Sequence, residues 1–116
     1  MLKSLAGQTA ESRAAAFLQS HGLKLVTRNW RCRFGEIDLV MQDGAALVFV
    51  EVRLRSRGDF GGAAASVTPA KQKKLLAAAR QYLAALKSMP PCRFDVIALS
   101  GSGQPEWIQN AFDDMG

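Results

Sequence analysis

Apolar residues recur along this chain with two periods, and the period changes at glycines and prolines. From Ala10 to Ser20 the spacing is helical, with Ala14, Phe17 and Leu18 at i, i+3 and i+4 in an alanine-rich segment. Gly22 is a natural stop, because glycine tolerates the left-handed conformation that closes a helix. From Leu23 to Trp30 the chain alternates, with Leu23, Leu25 and Thr27 on one side and Lys24, Val26 and Arg28 on the other, which predicts a strand. Glu36 to Gln42 and Leu47 to Arg53 read as a second and a third strand, separated by the turn signal Asp43-Gly44. The third contains Leu-Val-Phe-Val-Glu-Val, apolar at both parities, which predicts a central strand covered on both faces.

Arg55 to Val67 reads as a loop holding Gly58, Gly61 and Gly62, long for so compact a chain and therefore a place to look for function. Thr68-Pro69 opens a second helix, threonine as N-cap and proline at the first helical position. Leu75, Leu76, Ala79, Tyr82, Leu83 and Leu86 form its apolar face, and Met89-Pro90-Pro91 ends it. A fourth strand is predicted over Arg93 to Leu99, and a short edge strand over Glu106 to Gln109. The order is α-β-β-β-α-β, with one further strand. Strands one to three can form an antiparallel meander, and the crossover from strand three through the helix to strand four makes that pair parallel. The expectation is a single α/β domain over residues 1–116, a mixed sheet flanked by helices.

Composition narrows the class of partner. Fifteen basic residues against ten acidic ones leave a net charge of +5. Arg28, Arg31, Arg33, Arg53, Arg55 and Arg57 fall in one stretch, whereas Glu106, Asp113 and Asp114 lie near the C-terminal end. Such a balance points to a polyanion, nucleic acid first, with an ordinary solvated surface as the plain alternative. Two cysteines, Cys32 and Cys92, form no metal-binding or disulfide pattern, and fit a reduced, cytoplasmic setting. No signal peptide and no membrane span is expected.

The chemistry centres on two acids in apolar strands, Asp38 in Ile-Asp-Leu-Val and Glu51 in Val-Phe-Val-Glu-Val. An unpaired buried charge is costly, so these carboxylates need a reason to be there. If Asp43 to Ala46 form the hairpin loop, Gln42 pairs with Leu47 and Asp38 stands opposite Glu51. A two-residue loop would move the pairing by two positions and leave both acids on one face. Opposed side chains have Cβ atoms about 5 Å apart, where like charges repel. They require a cation, a shared proton or a basic neighbour. Mg²⁺ suits such a site, since it takes oxygen ligands and keeps several waters; the enzymatic hypothesis extends this to Mg²⁺ or Mn²⁺. Arg53, two residues after Glu51, shares its face and can act as an electrostatic clamp on a phosphate but not as a proton carrier. It can equally be an ion pair that neutralises Glu51 with no metal. Glu11, the one acid of the first helix, could join this cluster. Glu36 lies near the strand start and is expected at the surface. Lys71, Lys73 and Lys74 oppose the helix dipole in the first turns of the second helix; phosphate contact would explain them, with a solvated face as the even alternative. Asp95 is expected to have a structural hydrogen-bonding role. Trp30 and Phe34, set among arginines, could stack on bases or pack the fold.

Together these residues resemble a known family. Gly7-x-x-Ala10-Glu11, Arg28-Asn29, Gly35-Glu36-Ile37-Asp38-Leu39-Val40, Val48 to Arg53, Arg93-Phe94-Asp95-Val96-Ile97 and Trp107 to Phe112 are similar, in the same order, to the YraN-like family of small bacterial proteins. That family resembles the Holliday-junction-resolvase-like branch of the PD-(D/E)xK nucleases. The resemblance implies a restriction-endonuclease-like αβββαβ core and divalent-metal hydrolysis of phosphodiesters in structured or branched DNA. It assigns Glu11, Asp38 and Glu51 as metal ligands and puts Arg53 where the superfamily has lysine. Arg31, Arg33, Arg55, Arg57, Lys71 and Lys74 are then the expected DNA contacts. A non-catalytic nucleic-acid-binding module of the same fold, and a protein-interaction role with structural carboxylates, are the alternatives.

Overall fold

A computed structural model of the protein describes residues 5–55, 67–101 and 104–112. The elements are α1 (Leu5–Ser20), β1 (Lys24–Cys32), β2 (Gly35–Asp43), β3 (Ala46–Leu54), α2 (Pro69–Ala84), β4 (Cys92–Leu99) and β5 (Glu106–Phe112). The strands form one sheet in the order β1-β2-β3-β4-β5. Only β3 and β4 run parallel, as the intervening helix requires, and every other pair is antiparallel. The protein is thus an α/β fold with an αβββαβ core, a mixed sheet and helices against it.

The alternation of side chains along β3 sorts the core into two sides. Val48 and Val50 pack with Ala10, Ala14, Ala15 and Leu18 of α1. Phe49, from the opposite face, packs with Ala78, Ala79 and Leu83 of α2. The small alanines let each helix approach the sheet closely, and both faces of β3 are covered as its sequence predicts.

Helix ends follow local chemistry. Gly22, at φ +96°, closes α1. Its N–H donates to Gln19 O at 3.0 Å, while Leu23 N–H reaches back to Leu18 O at 3.1 Å. This pair of bonds is the Schellman pattern, and buried Leu18 and Leu23 provide its hydrophobic contact. At the start of α2, Lys71 N–H donates to Thr68 Oγ1 at 3.2 Å, with Pro69 following the cap.

Several boundaries differ from the sequence reading. Helix α1 begins five residues before Ala10, running through Gly7. One glycine costs a helix about 1 kcal/mol, which a helix docked on a sheet can absorb. Helix α2 ends at Ala84, before the proline pair, through shorter turns from Ala85 N–H to Tyr82 O and Leu86 N–H to Leu83 O. Leu86 therefore falls off the apolar face and is exposed. Strand β5 extends to Phe112, with Asn110 at φ +52° next to the register shift opposite Asp95. Asp95 is fully buried and accepts from Trp107 Nε1 (2.9 Å), Asn110 N (3.0 Å) and Arg93 Nε (3.0 Å), the structural role expected of it. The β2–β3 turn is Gly44-Ala45, with Asp43 paired to Ala46. No shift results, because that pair simply extends the register that joins Gln42 to Leu47.

Candidate metal and phosphodiester site

The β2–β3 ladder stops at Leu39↔Val50, and the next positions along the same register are Asp38 and Glu51. Past that point the strands part. Asp38 Oδ2 accepts the N–H of Val52 at 2.9 Å, so a side chain takes over from the main-chain ladder. On its other side, the pairs Arg28↔Leu39 and Trp30↔Ile37 bracket Asn29 against Asp38. Asn29 stands at φ +54°, a left-handed conformation that asparagine tolerates better than most residues. The alternation along β2 slips at the same place, since Leu39 and Met41 join the α1 side whereas Ile37 and Val40 join the α2 side. The sheet is locally opened around Asp38, and this notch lets groups from both helices reach it.

Four acids meet there. Glu11, Asp38 and Glu51 are 2%, 5% and 3% exposed, too deep for water to offset their charge. Glu11, Glu36 and Asp38 each offer a carboxylate oxygen within 4.8 Å of the others. Glu51 touches Asp38 from the neighbouring strand, and its carboxyl is raised from 4.5 to about 7. Burial is the largest cause, followed by the charge of Asp38. Lys71 opposes the rise, its Nζ lying 2.8 Å from Glu51 Oε2.

Glu36 corrects the sequence reading, which had set it at the surface. It is only partly exposed and bridges the acids to Arg31, whose Nε donates to Glu36 Oε2 at 2.8 Å. Its signal was legible, because it lies two residues from Asp38 on the same strand. The set named from the sequence was Glu11, Asp38 and Glu51, whereas the carboxylates that converge are Glu11, Glu36 and Asp38, and Glu51 stands outside that group, against Asp38. Lys71, expected at a phosphate, is the close partner of Glu51. Arg53 stands farther off, Nη1 at 3.6 Å, while its Nε is buried with no hydrogen-bond partner among the described residues. No sequence rule pairs residue 71 with residue 51, since the contact arises from the tertiary packing of α2 against the sheet.

A cavity of about 510 Å³ lies over this cluster, lined by Asp38, Glu51 and Arg53 on one side and by Lys71, Lys74 and Leu75 of α2 on the other. Of the other expected DNA contacts, Arg55 pairs with Glu106 at 3.0 Å and does not line the cavity. Arg33 lies in the β1–β2 turn, and Arg57 and Gly58, Gly61 and Gly62 lie outside the described residues. Trp30 packs edge-on against Tyr82, which makes it a core residue.

The donor set fits a hard divalent cation. Given bonds of about 2.1 Å, neighbouring oxygens of an octahedral Mg²⁺ are about 3.0 Å apart and opposite ones about 4.2 Å, so three oxygens within 4.8 Å would draw together to share one ion. Carboxylate oxygens, without thiolate or imidazole, suit hard ions such as Mg²⁺, Mn²⁺ or Ca²⁺.

Known proteins give the chain its relatives. Residues 10–99 match a family model described as Uncharacterised protein family UPF0102. A UPF0102 protein of Nitrosomonas eutropha is 61% identical over 108 residues, 93% of each chain. One from Nitrosospira multiformis is 56% identical over 97% of each chain, and one from Cupriavidus pinatubonensis 62% identical over 92% of this chain and 84% of its own. The matched region holds all four acids, Arg53 and Lys71, and the chain belongs to the UPF0102, or YraN-like, family.

Proposed function

We propose that this protein is a divalent-metal-dependent nuclease of the PD-(D/E)xK kind, in the Holliday-junction-resolvase-like branch, acting on structured or branched DNA. The observation that carries the reading is the convergence of Glu11, Glu36 and Asp38 within 4.8 Å, with Glu51 against Asp38, beneath a cavity edged by cations. Asp38, Glu11 and Glu36 would hold the ion, with Glu51 closing the set once it gives up its proton. When bound, a divalent ion supplies Lewis acidity to a phosphoryl oxygen and lowers the pKa of a water. The protein's own part is to hold the four carboxylates together and to present Arg53 and Lys74 to the phosphodiester. A guanidinium does not exchange its proton in general acid–base chemistry, so Arg53 can stabilise charge on phosphate but not shuttle protons.

Purified protein should cut a four-way or forked DNA with Mg²⁺ or Mn²⁺, and Glu51→Gln should reduce cutting by at least about a hundredfold. Absence of metal-dependent cutting across branched, single-stranded and duplex DNA would overturn the reading.

A second reading is a binding module that kept the fold without turnover. It is favoured by Arg53 at the lysine position and by the Lys71–Glu51 ion pair, an internal cation already in place. It predicts salt-sensitive DNA binding that is indifferent to EDTA and to Glu51→Gln.

A further inference from the structure

The turn between β1 and β2 is Arg33-Phe34, closed by the pairing of Cys32 with Gly35. Phe34 is 39% exposed, and it is the one exposed Phe, Trp or Tyr side chain among the described residues. The guanidinium carbon of Arg33 stands 4.8 Å from the centre of its ring. Gly35 seats the turn against α2: its φ is +152°, and a Cβ there would lie 3.6 Å from Lys74 Cβ. Gly35 and Lys74 also line the cavity that holds Asp38 and Glu51, so Phe34 is the residue next to the cavity wall.

Charge is unevenly balanced around this turn. Arg31, Arg55, Lys71 and Arg93 each have an acidic partner. Among the described residues, Arg33, Lys73 and Lys74 form no ion pair. Arg13, Lys24, Arg28 and Lys87 are likewise without an ion pair among the described residues, but Arg33 and Lys74 are the two that stand beside the uncovered ring, one over its face and the other against Gly35. An apolar protein partner would leave those charges unmatched, whereas a flexible polyanion carrying flat bases would match both features.

We propose that Phe34, backed by Arg33, is a stacking platform for an unpaired base of single-stranded nucleic acid, with Lys73 and Lys74 meeting the adjoining phosphates. Every base has a π-face, so the platform tolerates any sequence and selects unpaired over paired strands. Arg33 holds the ring from one side by cation–π attraction and adds charge for the backbone. The inference rests on the preceding reading for its class of ligand, nucleic acid, but not on hydrolysis.

The test is binding in EDTA, by fluorescence anisotropy, to a labelled fork with single-stranded arms and to the fully paired duplex of the same sequence. Wild type should prefer the fork. Phe34→Ala should weaken fork binding about tenfold and leave duplex binding unchanged, whereas Phe34→Trp should keep the preference. A 2-aminopurine in the arm should be quenched by wild type and not by Phe34→Ala. Equal loss on fork and duplex, no loss on either, an unquenched probe, or no binding of the fork by wild type would overturn the platform. A failed platform with Mn²⁺-dependent cutting intact would leave the hydrolytic reading standing. The expected binding without cutting would do the reverse.

Discussion

At the scale of single residues, Glu51 decides how the site behaves with pH. Its carboxyl titrates at about 7 in the folded protein and near 4.5 when unfolded, so the native state holds this proton more tightly. The stability it lends is complete below about pH 4.5 and is lost as pH rises through 7. In EDTA, Glu51→Gln should therefore match wild type at pH 5 and exceed it at pH 8 by about 2–3 kcal/mol, read from urea unfolding at the two pH values. Lys71 loses its partner in that variant, but its side chain is 42% exposed and readily re-solvated, so the cost is small. An equal effect at both pH values would contradict the assignment. The same proton must leave before Glu51 can ligate a cation, so Mn²⁺ uptake should strengthen as pH rises through about 7. Because Lys71 is the group that opposes the rise, Lys71→Met should move that midpoint upward, measured by calorimetric titration of Mn²⁺ across pH. An unchanged midpoint would show that the ammonium does not govern Glu51.

At the scale of elements, each helix end is a local device with a local cost. Gly22→Ala places a Cβ at φ +96° in open space, so strain rather than collision opposes it. The loss should be about 1 kcal/mol, visible as a lowered urea midpoint with an unchanged slope. The same local rules made most of the fold legible in advance. Gly22, Asp43-Gly44 and Thr68-Pro69 announced their turns and caps, and the two-sided apolar run at Val48–Val52 announced a central strand. Boundaries that depend on docking were not legible. Nothing in Leu5–Thr9 says that the first helix starts there, and nothing in Tyr82–Pro91 says which turn of α2 is the last. The hairpin register placed Asp38 beside Glu51 in sequence terms. That the ladder ends one step earlier was hidden, because it depends on Asn29 across the sheet and on the Asp38–Val52 hydrogen bond.

At the scale of the whole molecule, the site draws on residues 11, 36, 38, 51 and 71, from two helices and two strands. The strand acids were readable as a pair, because hairpin pairing is short-range. Glu36 was readable too, two residues from Asp38 on the same strand, whereas the contributions of Glu11 and Lys71 depend on how distant elements lean together, which periodicity cannot give. Helix α1 has a double duty here. Its alanine face shelters one side of the sheet, and its Glu11 reaches the opened end of β2. A divalent ion gripped by Glu11 and Asp38 would therefore rivet a cover to the layer beneath it. Amide hydrogen exchange along α1 should slow on adding Mn²⁺ at pH 8, more than along α2, and should be unaffected in Glu11→Gln. Loading the centre with metal and fastening the lid of the core would then be one and the same event.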